Sequence, residues 1–373
     1  MYSSRGDGSS GHHIIFDQVS DWVPVPGQCS DSDSPIRPQQ QCARAQPTAR
    51  TLPEDQPCVT SRYRVPRLDA SIMTAQDILA YGLMYVGFGK ERQNVVQKTS
   101  VDRFKAHYGP EPQAVKDLIT DLISSFPSTS FKELLMGLNW LKLYDIEAVL
   151  AGRWGYSEAV CRDKCREVVR HIQAFREELI SFDPSIFRSE ETHIISVDCV
   201  NFITEEFRLN PSTEYFDHKS HSCGLKYEFA ISVWLSRCVW INGPYPAGKY
   251  HDKSLFCGAE SKDDPPDLWN RSALYFQLPD GKKAIGDSAY EGVPEKVTVK
   301  REGHPYNVFE FLDQAQNRQE SYHNRLEAYN ILAHRFRHGK STQDKMNLHK
   351  MAVEAVAVIV AYDMTHHPLF EVY

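Results

Sequence analysis

Two short apolar runs of this chain each end in an acidic residue, a pattern typical of folds in which neighbouring strands carry carboxylates to one place. Asp198 ends the run from Ile194, Asp287 ends a run from Ala284, and Glu320 lies 33 positions further on in a polar, helix-like segment. Two strands and one helix can bring these three side chains together. Because unpaired carboxylates at one point repel each other, a divalent cation is the usual reason to assemble them.

Each acidic residue also has an ordinary structural interpretation when it is taken alone. Asp198 is a candidate strand-end cap, and Asp287 is a candidate Asx-turn residue. Glu320 has Arg318 and Arg325 as possible ion-pair partners on its own helix. Taken together, the order strand aspartate, strand aspartate, helix glutamate suits a ribonuclease-H-like metal nuclease.

A fourth carboxylate, Asp252, follows the third predicted strand. Two interpretations stay open for it, a further metal ligand or a cap for the short helix that it opens. Mg²⁺ and Mn²⁺ prefer carboxylate oxygens. Two such ions about 3.5–4 Å apart activate a water and stabilise the leaving 3′ oxygen of a phosphodiester. A second in-line attack by the freed 3′-OH would give strand transfer.

Composition restricts the classes of protein to consider. The 373 residues carry a net charge of −7, so any contact with nucleic acid must come from local basic faces. The nine cysteines are scattered and form no CxxC pair, which argues against a zinc ribbon or a disulfide framework and favours a reducing compartment. No apolar run approaches ~20 residues, so we expect no membrane-spanning helix. The first residues lack the apolar core of a signal peptide.

The pattern of residues divides the chain into three parts. Residues 1–70 are rich in Ser, Pro, Gln and Asp and are predicted to be a disordered tail, in which Arg5-Gly6-Asp7 is a chance triplet. Residues 74–185 have helical apolar spacing, and residues 190–370 alternate short β-like runs with helices, which predicts an α/β fold with a partly antiparallel sheet. Strands are predicted over 192–200, 225–235, 238–242 and 282–286, and helices over 250–256, 308–334 and 342–364.

The second half of the helical region has the outline of a helix-turn-helix. A short helix is predicted from Asp145 as its N-cap, a glycine-containing break follows, and Ser157 is a candidate N-cap for a second helix. One face of this second helix carries arginines at i, i+4 steps, and another carries an apolar stripe: Arg162, Arg166 and Arg170, against Cys161, Cys165 and Val168. A solvated basic face on an ordinary three-helix bundle is the alternative, and the pattern alone favours it.

Several motifs then resemble, in order, the catalytic core of DDE transposases. The PIF/Harbinger group and its bacterial insertion-sequence relatives are the closest match. The residues that carry the resemblance are Val197-Asp198-Cys199, Lys219, Gly224 to Glu228, Trp240 to Gly248, His251-Asp252, Gly286 to Tyr290, Arg318 to Leu326 and Leu332 to His338. Residues 130–180 resemble the helix-turn-helix that often precedes this core.

The resemblance implies a ribonuclease-H-like catalytic domain over 190–370, preceded by an all-helical region with a helix-turn-helix over 74–185. It implies that Asp198, Asp287 and Glu320 bind two Mg²⁺ or Mn²⁺ ions, with Asp252 as a further ligand. The implied activity is that of a metal-dependent endonuclease that cuts and joins DNA. Two departures from the family pattern stand out: Cys199 occurs where many relatives have Gly, and Glu327 where many have Lys.

The expected partner is double-stranded DNA, both as transposon ends and as target. The residues expected to contact it are Arg162, Arg166, Arg170, Lys219, Arg335 and Arg337. A homodimer and an accessory DNA-binding protein, on which Harbinger-type relatives often rely, are further partners to consider. Such an enzyme would act in the nucleus of a eukaryote or in the cytoplasm otherwise. Two alternatives stay open, a domesticated DNA-binding protein without catalysis and a metal-dependent nuclease without strand transfer.

Overall fold

The computed structural model describes residues 72–94, 96–207, 211–261 and 263–373. The predicted tail over 1–70 therefore lies outside the described residues. The described part is of the mixed α/β class, as predicted from the sequence. Its helices are α1 Ala75–Tyr85, α2 Gln97–Tyr108, α3 Pro112–Ser125, α4 Phe131–Leu143, α5 Glu147–Trp154, α6 Glu158–Gln173, α7 Arg176–Leu179, α8 Asp252–Cys257, α9 Leu274–Gln277, α10 Tyr306–Glu327, α11 Asn330–Ala333 and α12 Thr342–His366. Its strands are β1 His193–Ile203, β2 Phe216–Asp217, β3 Ser222–Ser232, β4 Cys238–Pro246, β5 Lys283–Gly286 and β6 Val297–Val299.

The strands form one mixed sheet with β1 near its centre. The strand order is β2-β3-β1-β5-β6, and β4 pairs with β3. β1 is antiparallel to β3, with Asp198 opposite Phe229, and parallel to β5, with Ser196 beside Ile285. β3 and β4 are antiparallel, whereas β5 and β6 are parallel. The sheet is thus antiparallel on one side of β1 and parallel on the other.

Local sequence explains where the main helices begin. Ser130, Ser157 and Ser341 are N-caps whose side chains accept hydrogen bonds from backbone N–H groups of α4, α6 and α12. Pro112 is the first residue of α3, where its missing N–H removes no helical bond. α12 is apolar around most of its circumference because α3, α6, β4 and α10 all pack against it and bury it.

Most predicted elements are found, with differences that have physical causes. The strands predicted over 192–200, 225–235, 238–242 and 282–286 correspond to β1, β3, β4 and β5. β2 and β6 were not predicted, since two or three residues are too few to show an alternating pattern. The prediction of Asp145 as a helix N-cap is wrong. Ile146 is the N-cap of α5, and the Asp145 carboxylate accepts from Arg153 Nη1 at 2.6 Å.

Two expectations from composition concern the membrane and the cysteines. None of the helices in the described ranges is long and apolar enough to cross a membrane. The six cysteines in those ranges are free thiols: Cys161, Cys165, Cys199, Cys223, Cys238 and Cys257. Cys29, Cys42 and Cys58 lie outside the described residues.

Candidate active site

The parallel pairing of β1 and β5 brings Asp198 and Asp287 to the same level of the sheet. Ser196 lies beside Ile285 in the register, and each aspartate is two residues further along its chain. Asp287 directly follows β5, whereas Asp198 lies within β1, which continues to Ile203. The interpretation of Asp198 as a strand-end cap is therefore wrong. Neighbouring strands run about 4.8 Å apart, so the two chains are close at the last paired residues, and the charge of Asp287 acts on Asp198.

Asp198 is in an environment that disfavours its negative charge. Burial raises the pKa of its carboxyl to about 7, and the charges of Asp287 and Asp252 raise this pKa as well. A hydrogen bond from the Cys199 N–H to Oδ1, at 2.8 Å, and the charge of Lys219 act in the opposite direction. Three of the predicted metal ligands and one predicted DNA contact thus lie close enough to interact electrostatically.

Asp287 combines a structural role with an available oxygen. It is exposed, and its Oδ1 accepts a hydrogen bond from the Ala289 N–H at 2.9 Å at the start of a short 3₁₀ turn. This confirms the Asx-turn interpretation of Asp287 from the sequence. The turn uses only Oδ1, and Oδ2 has no hydrogen-bond partner among the described residues. Asp287 can therefore hold its turn and still present one oxygen outward.

Glu320 lies on the side of α10 that contacts the strands. Gln316 Nε2 donates to the carbonyl of Gly286 at 3.0 Å, and His323 Nδ1 is 3.6 Å from Asp198 Oδ2. Glu320 is four residues after Gln316 and three before His323, so its side chain projects from the same side of the helix, between these two contacts. Glu320 is exposed and makes no ion pair or hydrogen bond within the described part of the chain.

The two arginines considered as partners of Glu320 are engaged elsewhere. Arg318 is buried and donates to the carbonyls of Phe370 and, at 2.8 Å, Leu235. Arg325 donates to the carbonyl of His367 at 2.6 Å. The prediction that Glu320 pairs with either of them on α10 is therefore wrong, because both guanidinium groups satisfy backbone carbonyls near the C-terminus.

Asp252 has a partner that neither of its two interpretations included. It is the first residue of α8, and His251 is the N-cap, so the capping interpretation is wrong. Its Oδ1 accepts from Lys226 Nζ at 2.6 Å, and Lys226, which is buried, also donates to the carbonyl of Tyr250 at 2.9 Å. A cation at Asp252 would therefore have to compete with Lys226 or use the second oxygen.

Sequence reasoning missed Gln319 and His323, which connect α10 to the centre of β1. Gln319 Oε1 accepts from Ser196 Oγ at 2.7 Å, and its amide nitrogen lies 3.0 Å from His323 Nε2. Burial lowers the pKa of His323 to about 4, so the ring is neutral at pH 7. If the Gln319 amide donates to Nε2, the ring proton is on Nδ1 and faces Asp198. Gln319 is one residue before Glu320 and His323 is three residues after it, and this closeness on one predicted helix was the available sequence signal.

The two departures from the family pattern cause no visible conflict. Cys199 Sγ lies 3.5 Å from the hydroxyl of the buried Tyr290, so the thiol fills a space between β1 and the turn after Asp287. Glu327, the last residue of α10, is exposed. Neither side chain takes the place of a predicted metal ligand.

The arginines of α6 differ in how available they are. Arg162 Nε donates to Glu147 Oε1 at 2.6 Å, in a pair between α6 and α5. Arg166 and Arg170 make no ion pair within the described ranges, and Arg170 is exposed. Cys161, Cys165 and Val168 are buried on the other face, as predicted. The basic face is therefore present, but Arg162 is already neutralised.

The other three predicted DNA contacts also differ among themselves. Lys219 is exposed in the loop before β3, where its charge acts on Asp198. Arg335 is exposed and has no ion-pair partner in the described part. The Arg337 guanidinium is 4.4 Å from the ring centre of Tyr144, and Nη2 donates to the Tyr144 carbonyl at 2.5 Å. Arg337 is thus used to join the C-terminal region to α4.

No three His, Cys, Asp or Glu side chains among the described residues are grouped so that they hold a metal ion as they stand. Asp198 and Asp287 share one level of the sheet, Asp252 is tied to Lys226, and Glu320 projects from the facing helix. Comparison of the chain with protein-family models, with curated proteins and with solved structures found no match in any of the three. The geometry of the site therefore carries the functional argument.

A second buried carboxylate, Glu228, lies opposite Cys199 in the sheet and gives a prediction about pH. Burial raises its pKa from 4.5 to about 7, although Trp240 Nε1 donates to Oε2 at 2.8 Å. The neutral form of Glu228 is favoured in the folded protein, because its folded pKa is above the unfolded one. Its contribution to the unfolding free energy is therefore complete below pH 4.5 and is lost as the pH rises through about 7.

We expect Glu228→Gln to remove this dependence. Relative to the variant, the wild type should lose about 3 kcal/mol of unfolding free energy between pH 4.5 and 8, since each pKa unit corresponds to about 1.4 kcal/mol. Chemical denaturation across this range in EDTA measures the difference. Glu327→Gln, at an exposed glutamate, is the control. Parallel curves for wild type and Glu228→Gln would contradict a buried, neutral Glu228.

Proposed function

We propose that this protein is a transposase-type enzyme that cuts and joins DNA strands with a ribonuclease-H-like domain over 190–370. The single observation that carries the proposal is the pairing of β1 with β5, which puts Asp198 and Asp287 at one level of the sheet. The strand arrangement agrees with it: β1 is central, with antiparallel β3 on one side and parallel β5 on the other. α10 presents Glu320 from the helix that contacts both strands.

The residues fit a pair of hard divalent cations. Asp287 Oδ2 and the Glu320 carboxylate have no protein partner in the described ranges, and all the donors are carboxylate oxygens, which Mg²⁺ and Mn²⁺ prefer. The repulsion that Asp198 receives from Asp287 and Asp252 is of the kind that a bound cation relieves. Asp198, Asp287 and Glu320 would hold the ions, with Asp252 as a ligand if Lys226 releases it.

The protein's own residues supply positioning around this site. When bound, two such ions supply an activated water and stabilisation of the leaving 3′ oxygen. Gln319 connects α10 to β1 through its hydrogen bond with Ser196, and the neutral His323 ring lies 3.6 Å from Asp198 Oδ2. Lys219 stands at the exposed side of the acidic group, where a DNA phosphate would approach.

Cutting of its own flanking DNA tests this proposal. The DNA on either side of the coding sequence should carry terminal inverted repeats, and the full chain should nick these repeats in Mg²⁺ or Mn²⁺ but not in EDTA. Joining of the cut end to a target plasmid would separate a transposase from a nuclease without strand transfer. Absence of any metal-dependent cutting of these repeats would contradict the proposal.

DNA binding by the helix-turn-helix gives a second prediction. We expect Arg166→Ala and Arg170→Ala each to weaken binding and to lower the slope of log affinity against log salt by up to ~0.9, the value for one lost phosphate contact. Arg162→Ala should change the slope less, because Glu147 already pairs with Arg162. Fluorescence anisotropy at several salt concentrations measures the slopes. Equal slopes for wild type, Arg166→Ala and Arg170→Ala would leave α6 as an ordinary solvated helix.

One observation favours a second candidate, a DNA-binding protein descended from a transposase that no longer cuts. The carboxylates are not gathered into a ready-made metal site, and Lys226 neutralises Asp252. This candidate predicts salt-dependent binding to the repeats, with no product in Mg²⁺ or in Mn²⁺. The cutting assay above therefore separates the two candidates.

A further inference from the structure

A cavity of about 580 Å³ lies along β4, within the size range of small-molecule sites. We call it the β4 cavity. Its wall is formed by residues of β4, of α8 and of the segment after α8: Trp240, Asn242, Tyr245, Tyr250, Ser254 and Asn270, among others. None of these residues belongs to the acidic group or to the predicted DNA contacts.

Aromatic rings held in place form one side of the β4 cavity. Trp240 Nε1 donates to Glu228 Oε2 at 2.8 Å, and the Tyr245 hydroxyl donates to Asn242 Oδ1 at 2.9 Å. The rings of Tyr245 and Tyr250 are 5.1 Å apart. Rings that are fixed before binding lose little freedom when a flat ligand stacks on them. This side of the cavity therefore suits a planar ring.

Ser254, at the wall of the β4 cavity, has a buried hydroxyl without a hydrogen-bond partner in the described part of the chain. Ser254 is 1% exposed, and its Oγ has no hydrogen-bond partner among the described residues. A buried polar group without a partner is unfavourable, and most such groups in proteins are satisfied. Since Ser254 lines the β4 cavity, a ligand with ring donors or acceptors would supply the missing partner.

The charges at the cavity favour a neutral ring over a phosphate. Arg176 and Lys350 line the cavity, but Arg176 Nη1 pairs with Glu177, and Lys350 Nζ is 3.9 Å from Glu354. With both cations paired, little net positive charge remains to attract a phosphate group. A planar ring with hydrogen-bonding edges and no charge is the chemistry of a nucleobase.

One segment of the chain contributes both to the cavity wall and to the acidic group. Tyr250 and Ser254 lie two residues before and two residues after Asp252, whose charge acts on Asp198. We propose that the β4 cavity receives one nucleobase that has left the stack of a DNA strand held at the acidic site. The proposal rests on the proposed function for the source of the base, and a free nucleotide is the other possible source. Stacking on the rings would offset the unstacking of the base.

Abasic DNA tests the proposal without any cutting. In EDTA, full-length protein is mixed with single strands copied from its flanking repeats, each lacking the base at one position, and affinity is measured by anisotropy. We expect one position at which loss of the base weakens wild-type binding by about 5- to 150-fold, the range for one stacked base. Tyr250→Leu should weaken binding to intact strands similarly and show no further loss at that position.

Two further variants keep the test decisive. Ser254→Ala should melt no lower than wild type, since the hydroxyl it removes has no partner among the described residues. In this variant, removal of the base at the sensitive position should weaken binding less than it does in the wild type. It carries the test if Tyr250→Leu does not fold. Tyr306→Leu, at an exposed tyrosine outside the cavity, is the control and should bind like wild type.

The proposal would be overturned if, at every position, the affinity loss from removing the base were the same in Tyr250→Leu as in the wild type. Binding of dAMP or TMP that depends on Tyr250, with no such position in the strands, would overturn a DNA strand as the source. Because EDTA prevents metal-dependent cutting, the outcome is independent of the proposed activity. If base loss and Tyr250→Leu fail to add at one position but the protein never cuts DNA, only the proposed enzymatic activity is contradicted. If the protein cuts DNA but no such position exists, only this inference is contradicted.

Discussion

Asp287→Asn is expected to abolish Mg²⁺-dependent cutting while leaving the fold and DNA binding intact. The asparagine side chain keeps an oxygen for the Ala289 N–H, so the turn after β5 persists. It loses the negative charge that holds a cation. Because such a cation contributes several kcal/mol to the transition state, the loss of rate should be at least about a thousand-fold.

Thermal melting without metal completes this test. Removal of one of the charges that repel Asp198 should leave the melting temperature unchanged or higher. Asp280→Asn is the matched control, because Asp280 is exposed and precedes β5 at its other end. It should cut like wild type. If Asp287→Asn unfolds the protein, the Asx turn is the main role of Asp287 and the active-site assignment loses its second ligand.

Lys226→Met is expected to be the most destabilising of the substitutions considered. Lys226 is buried and gives two hydrogen bonds, to the Asp252 carboxylate at 2.6 Å and to the Tyr250 carbonyl at 2.9 Å. Methionine fills a similar volume but leaves Asp252 charged and unpaired. Removal of one member of a buried pair typically lowers the unfolding free energy by about 3–5 kcal/mol, and the loss here should lie toward the lower end because the Asp252 side chain is 22% exposed.

Urea denaturation of the wild type, of Lys226→Met, of a double variant and of a control variant measures this effect. The double variant Lys226→Met, Asp252→Asn should recover a large part of the loss, because no uncompensated charge remains. Lys249→Met is the control, since Lys249 is exposed and its pair with Glu214 is at the surface. A loss below about 1 kcal/mol in Lys226→Met would show that Asp252 is well solvated without Lys226, and thus free to bind a cation.

The sequence was sufficient for features that depend on neighbouring residues. The apolar runs before Asp198 and Asp287 gave β1 and β5, and the capping serine at position 157 marked the start of α6. Pairings over long separations could not be predicted in this way. Lys226 meets Asp252 across 26 positions and Arg162 meets Glu147 across 15, and nothing in the local pattern distinguishes such pairs from solvated charges.

In the candidate site, too, local patterns could be predicted from the sequence and long-range contacts could not. The identity of the acidic residues was apparent from strand and helix patterns, but their surroundings depend on packing. Burial, which sets the pKa of Asp198 and of His323, follows from how α10 lies on β1. The extension of β1 beyond Asp198 arises from its pairing with β3, in which Ile203 lies opposite Gly224. Long-range strand pairing of this kind leaves little trace in a single strand's sequence.

Diffraction at the manganese absorption edge, from crystals soaked in Mn²⁺, would locate bound cations directly. The predicted result is an anomalous peak bonded to oxygens of both Asp198 and Asp287, with the Glu320 carboxylate turned toward the same point, and no such peak in Asp287→Asn crystals. Asp198 and Asp287 without a bound ion at saturating Mn²⁺, or ions bound only elsewhere, would contradict a metal-dependent active site at the level where β1 and β5 meet.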